Sequence, residues 1–438
     1  MTTQVTARPL IAALFVRLLI GGGSPAAGQE SSVASLETLA GSFFAELATI
    51  RGLPSPGSPP PIMIRSRSET RRYVEQELNR KYPAAQVEAE RKAMVAWGLI
   101  PADFDLRSFF LDLLAEQAGA YYDPVAKVMV LADWLTPEQQ QAALLHELVH
   151  ALQDRNMPLD QFIAPTAGGG DQLLARQALI EGEAVALSLE VLLKAQGLEL
   201  QQIPDLSSFH QLTAAQSAGP VFDRAPKFLR EQLLFPYTQG LVFVHQFRRR
   251  QAWSAFGQLY QDPPRSTAQI LHPEKYLDRR QDPVPTTLPD LRSALPLGWR
   301  RVNEDELGEW ALGAILEAHL GEATARGLAT GWRGDRYEVW EAGSGRFLVY
   351  RVTWETEQRA EAFAQAYAGL LESKYPPLRG KAAKSPGPTW AWQEGQQRFL
   401  VERRGLDVLV LEQVPAVAAQ RIRREVWAAS PLTPAPTR

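Results

Sequence analysis

The stretch ALLHELVHALQD, residues 143–154, sets two histidines four residues apart around a glutamate, in a chain with only six histidines. Residues at that spacing lie over one another on a helix, so His146 and His150 can present two imidazoles to one ion. Glu147 is rotated from His146 by roughly 100 degrees, which suits a proton acceptor beside an ion better than a third tight ligand. The helix has a readable start: Thr136 caps it, Pro137 suits its first position, and Gln139 completes a capping box. It is expected to end near Asp154, before Asn156 and Pro158. The bland alternative is a buried helix that carries histidines for packing.

The chain has no cysteine, which removes disulfides, thiolate metal sites and thiol nucleophiles. Any metal must therefore be held by histidine and carboxylate. A formal net charge of -3, with no block of one sign, gives no electrostatic reason to expect nucleic acid as a partner.

A catalytic zinc takes three protein ligands and keeps one position open, so a third donor is needed. Gln153 and Asn156 stand where a downstream glycine and histidine would continue the metzincin pattern. The donor must come from another element. ALIEGEAVALSLE, residues 178–190, carries Glu181 and Glu183 within an apolar helical run. Two residues apart, they point in nearly opposite directions, so only one can face the ion. Glu181 is the choice, with Glu183 as the alternative.

Along the chain, residues 1–29 combine a basic Arg8, a short apolar run and small residues, the shape of a secretory signal peptide. Export, to the medium or the cell envelope, is the expectation. Helical spacing follows at 35–50, then the stiff connector LPSPGSPPP, then helices at 69–81, 85–98 and 104–117. AYYDPVAKVMVLAD, residues 120–133, reads as a strand pair turning at Asp123-Pro124 or as one bent edge strand. A loop with Gly168, Gly169 and Gly170 leads into a long helix at 171–195. A linker is read at 281–298. Beyond it a smaller α+β domain runs from 299 to 428, with a disordered tail at 429–438. That domain holds eight of the eleven tryptophans, read as the packing of a small sheet rather than a stacking platform for a ligand.

HELVH followed by IEGEA is similar to the gluzincin pattern of aminopeptidase-N-like and thermolysin-like metallopeptidases. AYYDP, HELVHALQD, ALIEGEA, FPYTQG and ILHPEKY together resemble a group of uncharacterised bacterial exported peptidase-like proteins. The resemblance implies an α+β chain whose residues 30–280 form a mainly helical zincin-like domain with a small edge-strand sheet. It implies His146, His150 and Glu181 as ligands of a Zn2+ ion and Glu147 as general base. Aminopeptidase-N-like enzymes carry an oxyanion-stabilising tyrosine in Y-x-x-G, and Tyr237 with Gly240 occupies that pattern here. A core tyrosine with a satisfied hydroxyl is the equal alternative. His272 is read as a loop-packing histidine, with a role as a second donor as the alternative. The strand at 128–131 is expected to be the edge that aligns a peptide.

The interval from His150 to Glu181 is longer than in those enzymes, and no G-x-M-E-N-like segment is present to bind a substrate amino terminus. The expectation is an exported zinc metallopeptidase, endopeptidase in character, acting on peptide or protein substrates. The alternative is a non-catalytic binding module of the cell envelope that keeps the zincin fold.

Overall fold

A computed structural model describes residues 33–164, 169–206, 209, 211, 217–384 and 388–429. The leader at 1–29, Gly168, His210 and the tail after residue 429 lie outside the described residues. The fold is α+β, mainly helical, with two separate sheets. Only the elements that bear on the site are labelled below.

Helix α1 (Val33–Arg51) places Leu36, Ala40, Phe44 and Leu47 on one buried face. It is apolar and long enough to cross a membrane by length and composition, yet that face packs into the same core as the histidine helix. The Pro-rich connector leads into a short strand, β1 (Ile62–Arg65). Helices α2 (Arg67–Lys81), α3 (Ala84–Trp97) and α4 (Leu106–Gln117) follow. Ser66 opens α2 with a capping box to Glu69.

Strands β2 (Ala120–Asp123) and β3 (Val128–Ala132) form a hairpin. The Asp123 carboxylate holds its turn by accepting from the Val125 and Ala126 N–H groups, each at 2.9 Å. The sheet order is β1-β3-β2, with β1 parallel and β2 antiparallel to β3. The segment expected to be the edge, 128–131, is thus the central strand, and its ladder groups are taken on both sides. The reason is β1, which arrives from across the connector to pair with it. The edge on the side of the histidine helix is β2.

That helix, α5 (Pro137–Asn156), starts with the Thr136–Gln139 capping box in both directions. Its buried residues run all round it from Ala142 to Asp154, as befits a helix at the centre of a core. Two long helices follow: α6 (Gly170–Lys194) packs on it, and α7 (Lys227–Arg248) packs on α6.

The second sheet has seven antiparallel strands. In chain order they are β4 (Arg300–Asp305), β5 (Trp332–Ala342), β6 (Gly345–Trp354), β7 (Ala383–Lys384), β8 (Thr389–Glu394), β9 (Gln397–Arg404) and β10 (Asp407–Pro415). They stand in the order β4-β5-β6-β10-β9-β8-β7. Helices α8 (Gly308–Leu320), α9 (Glu357–Lys374) and α10 (Ala416–Ala429) accompany it. Trp332, Trp340, Trp354 and Trp392 are buried in its two cores, so these tryptophans pack the sheet. The stretch 281–298 lies along it, with Leu291 and Ala294 buried and the Val284 N–H donating to the Arg333 carbonyl at 2.6 Å.

Apolar and polar contacts both join this sheet to the helical part. Trp97 of α3 meets Tyr337 and Tyr350 edge-on at 5.4 and 5.2 Å. At the start of α6, buried carboxylates gather. Asp171 accepts from the Thr267 N–H and hydroxyl, and Asp305 accepts from the Gly170 N–H. Asp335 accepts from the Leu307 N–H and the Trp332 indole. Burial pushes Asp305 up to about 7, Glu306 to about 8 and Asp335 to about 6, and Asp171 well above its usual range.

In the unfolded chain such groups titrate near 4, so folding takes up protons here. Their contribution to stability is full below that pH and is lost as pH rises towards about 8. The melting temperature of the metal-free protein should fall between pH 5 and pH 8, and Asp305→Asn should flatten the fall. Calorimetry at several pH values checks this, and a pH-independent melt contradicts it.

Candidate metal centre

The site begins with the crossing of α5 and α6. His146 and His150 lie one turn apart on α5, and α6 sets Glu181 opposite them. His146 Nε2 and His150 Nε2 are 3.0 Å apart, and each is 3.3 Å from Glu181 Oε2. A tetrahedral ion with bonds of about 2.0–2.1 Å needs donor atoms separated by roughly 3.3 Å. The three atoms therefore already have the spacing of a metal triad. Among the described residues this is the one group of three such side chains close enough to share an ion.

The electrostatics agree. Burial works to raise the Glu181 carboxyl, but the neighbouring histidines, His150 foremost, hold it down at about 2. Burial works to lower His150, and the Glu181 carboxylate overrides it and lifts the imidazole to about 9. Burial keeps His146 low. Without an ion, a positive charge is already favoured between these groups, and a divalent cation would take the place of that proton.

Glu147 is buried beside the pair, and its Oε2 accepts the Tyr122 N–H at 2.7 Å. Tyr122 lies on β2, so the edge strand and the carboxylate next to the histidines touch directly. Burial pushes this carboxyl up to about 7. Tyr237 of α7 also reaches the cluster: its ring centroid is 6.4 Å from that of His146, and burial, with the Glu181 and Glu147 carboxylates nearby, holds its hydroxyl well above the usual range.

Residues 102–214 match the model of peptidase family M78, described as the IrrE N-terminal-like domain.

This part of the chain is therefore metallopeptidase-like. The match takes in His146, Glu147, His150 and Glu181, while Tyr237 lies beyond it. Residues 295–423, which include all seven strands of the second sheet, match a domain of unknown function, DUF8575. No curated protein and no solved structure matches the chain.

Glu183, the alternative third donor, faces away from the cluster. It bonds to Arg51, Gln153 and Tyr260, as the near-opposite directions of residues two apart on a helix require. His272 is bound to Glu309 of α8 at 2.6 Å, a packing role. His245 and His319 bond backbone carbonyls of Ile203 and Trp97.

What brings Tyr237 to the cluster is not legible in the sequence. Gly182 of α6 and Gly240 of α7 meet backbone to backbone. A Cβ on Gly182 would overlap the Gly240 carbonyl, and a Cβ on Gly240 would overlap the Ala178 carbonyl oxygen. The glycines of E-G-E-A and Y-T-Q-G are thus two sides of one close crossing, and each sits beside a residue of the cluster. Gly240→Ala should force the helices apart, cost about 1–3 kcal/mol of stability and weaken metal uptake. Thermal melts with metal titration check this, and unchanged melting and uptake contradict it.

Proposed function

We propose that the chain is an exported zinc-dependent peptidase whose site is built from His146, His150, Glu181, Glu147 and Tyr237. One observation carries the reading: three ligand atoms at 3.0–3.3 Å, with the Glu147 carboxylate held beside them by the Tyr122 N–H. The donor set suits zinc, because two imidazoles and one carboxylate are a known catalytic combination for that ion. When bound, zinc supplies Lewis acidity, polarising a scissile carbonyl and making water a better nucleophile at neutral pH.

The chain's own groups do the rest. Glu147 takes a proton from the attacking water and passes it to the leaving amine, for which a carboxyl near 7 is suited. Tyr237, held above its usual range first by burial and then by Glu181 and Glu147, keeps its proton and donates it in a hydrogen bond to the oxyanion. Substrate backbone would pair along β2, the strand that touches Glu147, instead of along β3. Such pairing favours cleavage within a chain. Export rests on the leader-like residues 1–29.

Purified protein should hold close to one equivalent of zinc by elemental analysis and cleave internal bonds of peptides blocked at both ends. Glu147→Gln should keep the metal and lose cleavage, whereas Glu181→Gln should lose the metal. Stoichiometric zinc with no cleavage that depends on Glu147 would leave only a metal-bearing binding module.

Tyr237→Phe should lower kcat by roughly 100-fold, with KM little changed and zinc retained. An equal rate in the variant would assign this tyrosine to packing alone.

A further inference from the structure

We infer that Gln153 is a positioning residue that sets the tautomer of His150 and locks the two ligand-bearing helices together. The inference rests on the metal-site reading above.

Gln153 lies three residues beyond His150 on α5. Its Oε1 is 2.8 Å from His150 Nδ1. Its Nε2 donates to the Ile180 carbonyl at 3.0 Å, to Glu183 Oε2 at 2.8 Å and to the Tyr260 hydroxyl at 3.1 Å. A backbone carbonyl and a carboxylate can only accept, so the amide nitrogen must face them and the amide oxygen must face His150. Turning the amide over would set oxygen against both acceptors. His150 therefore carries its hydrogen on Nδ1, which leaves the Nε2 lone pair for the ion.

The carboxamide is itself held. Glu183 is buried and accepts from Arg51 and from Tyr260, and the Arg51 guanidinium also donates to the Trp253 carbonyl at 2.7 Å. Arg51 comes from the last turn of α1. Four parts of the chain thus converge behind His150: α1, α5, α6 and the turn carrying Tyr260. Because the Ile180 carbonyl immediately precedes Glu181, one amide fixes both a histidine ligand on α5 and the backbone next to the carboxylate ligand on α6. The buried acid expected as a rival ligand serves instead as the anchor of a ligand's partner.

A cavity of about 340 Å³ borders Gln153, Glu183, Arg51 and Tyr260. Shortening Gln153 enlarges an existing space, which makes its variants suitable probes.

The test compares zinc affinity, by competition with a chelating dye, in the parent, Gln153→Ala, Gln153→Glu, Glu183→Gln and the double variant Gln153→Glu/Glu183→Gln. The exchangeable imidazole protons of the cobalt-loaded proteins are followed by NMR alongside. Loss of Gln153 should weaken zinc binding by about 10- to 100-fold and speed exchange of the His150 Nδ1 proton. Gln153→Glu sets two carboxylates together and should also weaken binding. The double variant restores a donor and an acceptor between positions 153 and 183 but leaves a carboxylate oxygen against the Ile180 carbonyl, so it should recover part of the affinity lost in Gln153→Glu. Affinity within twofold of the parent in Gln153→Ala, or additive losses in the double variant, would overturn the inference and leave the metal site standing. A parent protein that takes up no metal would overturn both.

Discussion

A carboxylate held inside the protein against two imidazole nitrogens is the constraint on which the rest of this structure depends. An ionised carboxylate partly withdrawn from water, as Glu181 is, costs free energy unless opposite charge or hydrogen bonds surround it. The fold supplies these by crossing α6 over α5 at one place and α7 over α6 at another. The second crossing needs two residues without side chains, Gly182 and Gly240. Behind the first, Gln153 and Glu183 join the helices to α1 through Arg51. Helices that would otherwise slide are held in the register that closes the triad.

The local parts of the site were legible in the sequence because they follow from the period of one helix. The four-residue spacing of His146 and His150 and the Thr136–Gln139 box are of this kind. So is the point that only one of Glu181 and Glu183 can face α5, although the period alone does not say which. The α+β character of the last third, with a sheet packed by tryptophans, was likewise readable. What escaped was non-local. β1 and β4 are short and lack a strong pattern, and their identity comes from partners found elsewhere in the fold, β3 and β5. That missing partner is why 128–131 was expected at an edge when it lies at the centre.

The roles of Gln153 and Glu183 were hidden for a related reason. In the sequence they are a polar residue one turn beyond a histidine and an acid two residues from a better one. Their meaning depends on Arg51 and Tyr260, which approach from distant parts of the chain. The carboxylates at the start of α6 behave in the same way. Asp171, Asp305 and Asp335 look like surface acids until the second sheet buries them against backbone N–H groups. Buried carboxylates thus help to link that sheet to the helical part, alongside the apolar contact of Trp97.

The central claim is that His146, His150 and Glu181 hold one zinc ion, and anomalous diffraction collected on either side of the zinc edge tests it directly. One peak is predicted, about 2.0–2.2 Å from both Nε2 atoms and a Glu181 oxygen. A peak at another group of residues, or none in crystals grown with zinc, would contradict the account.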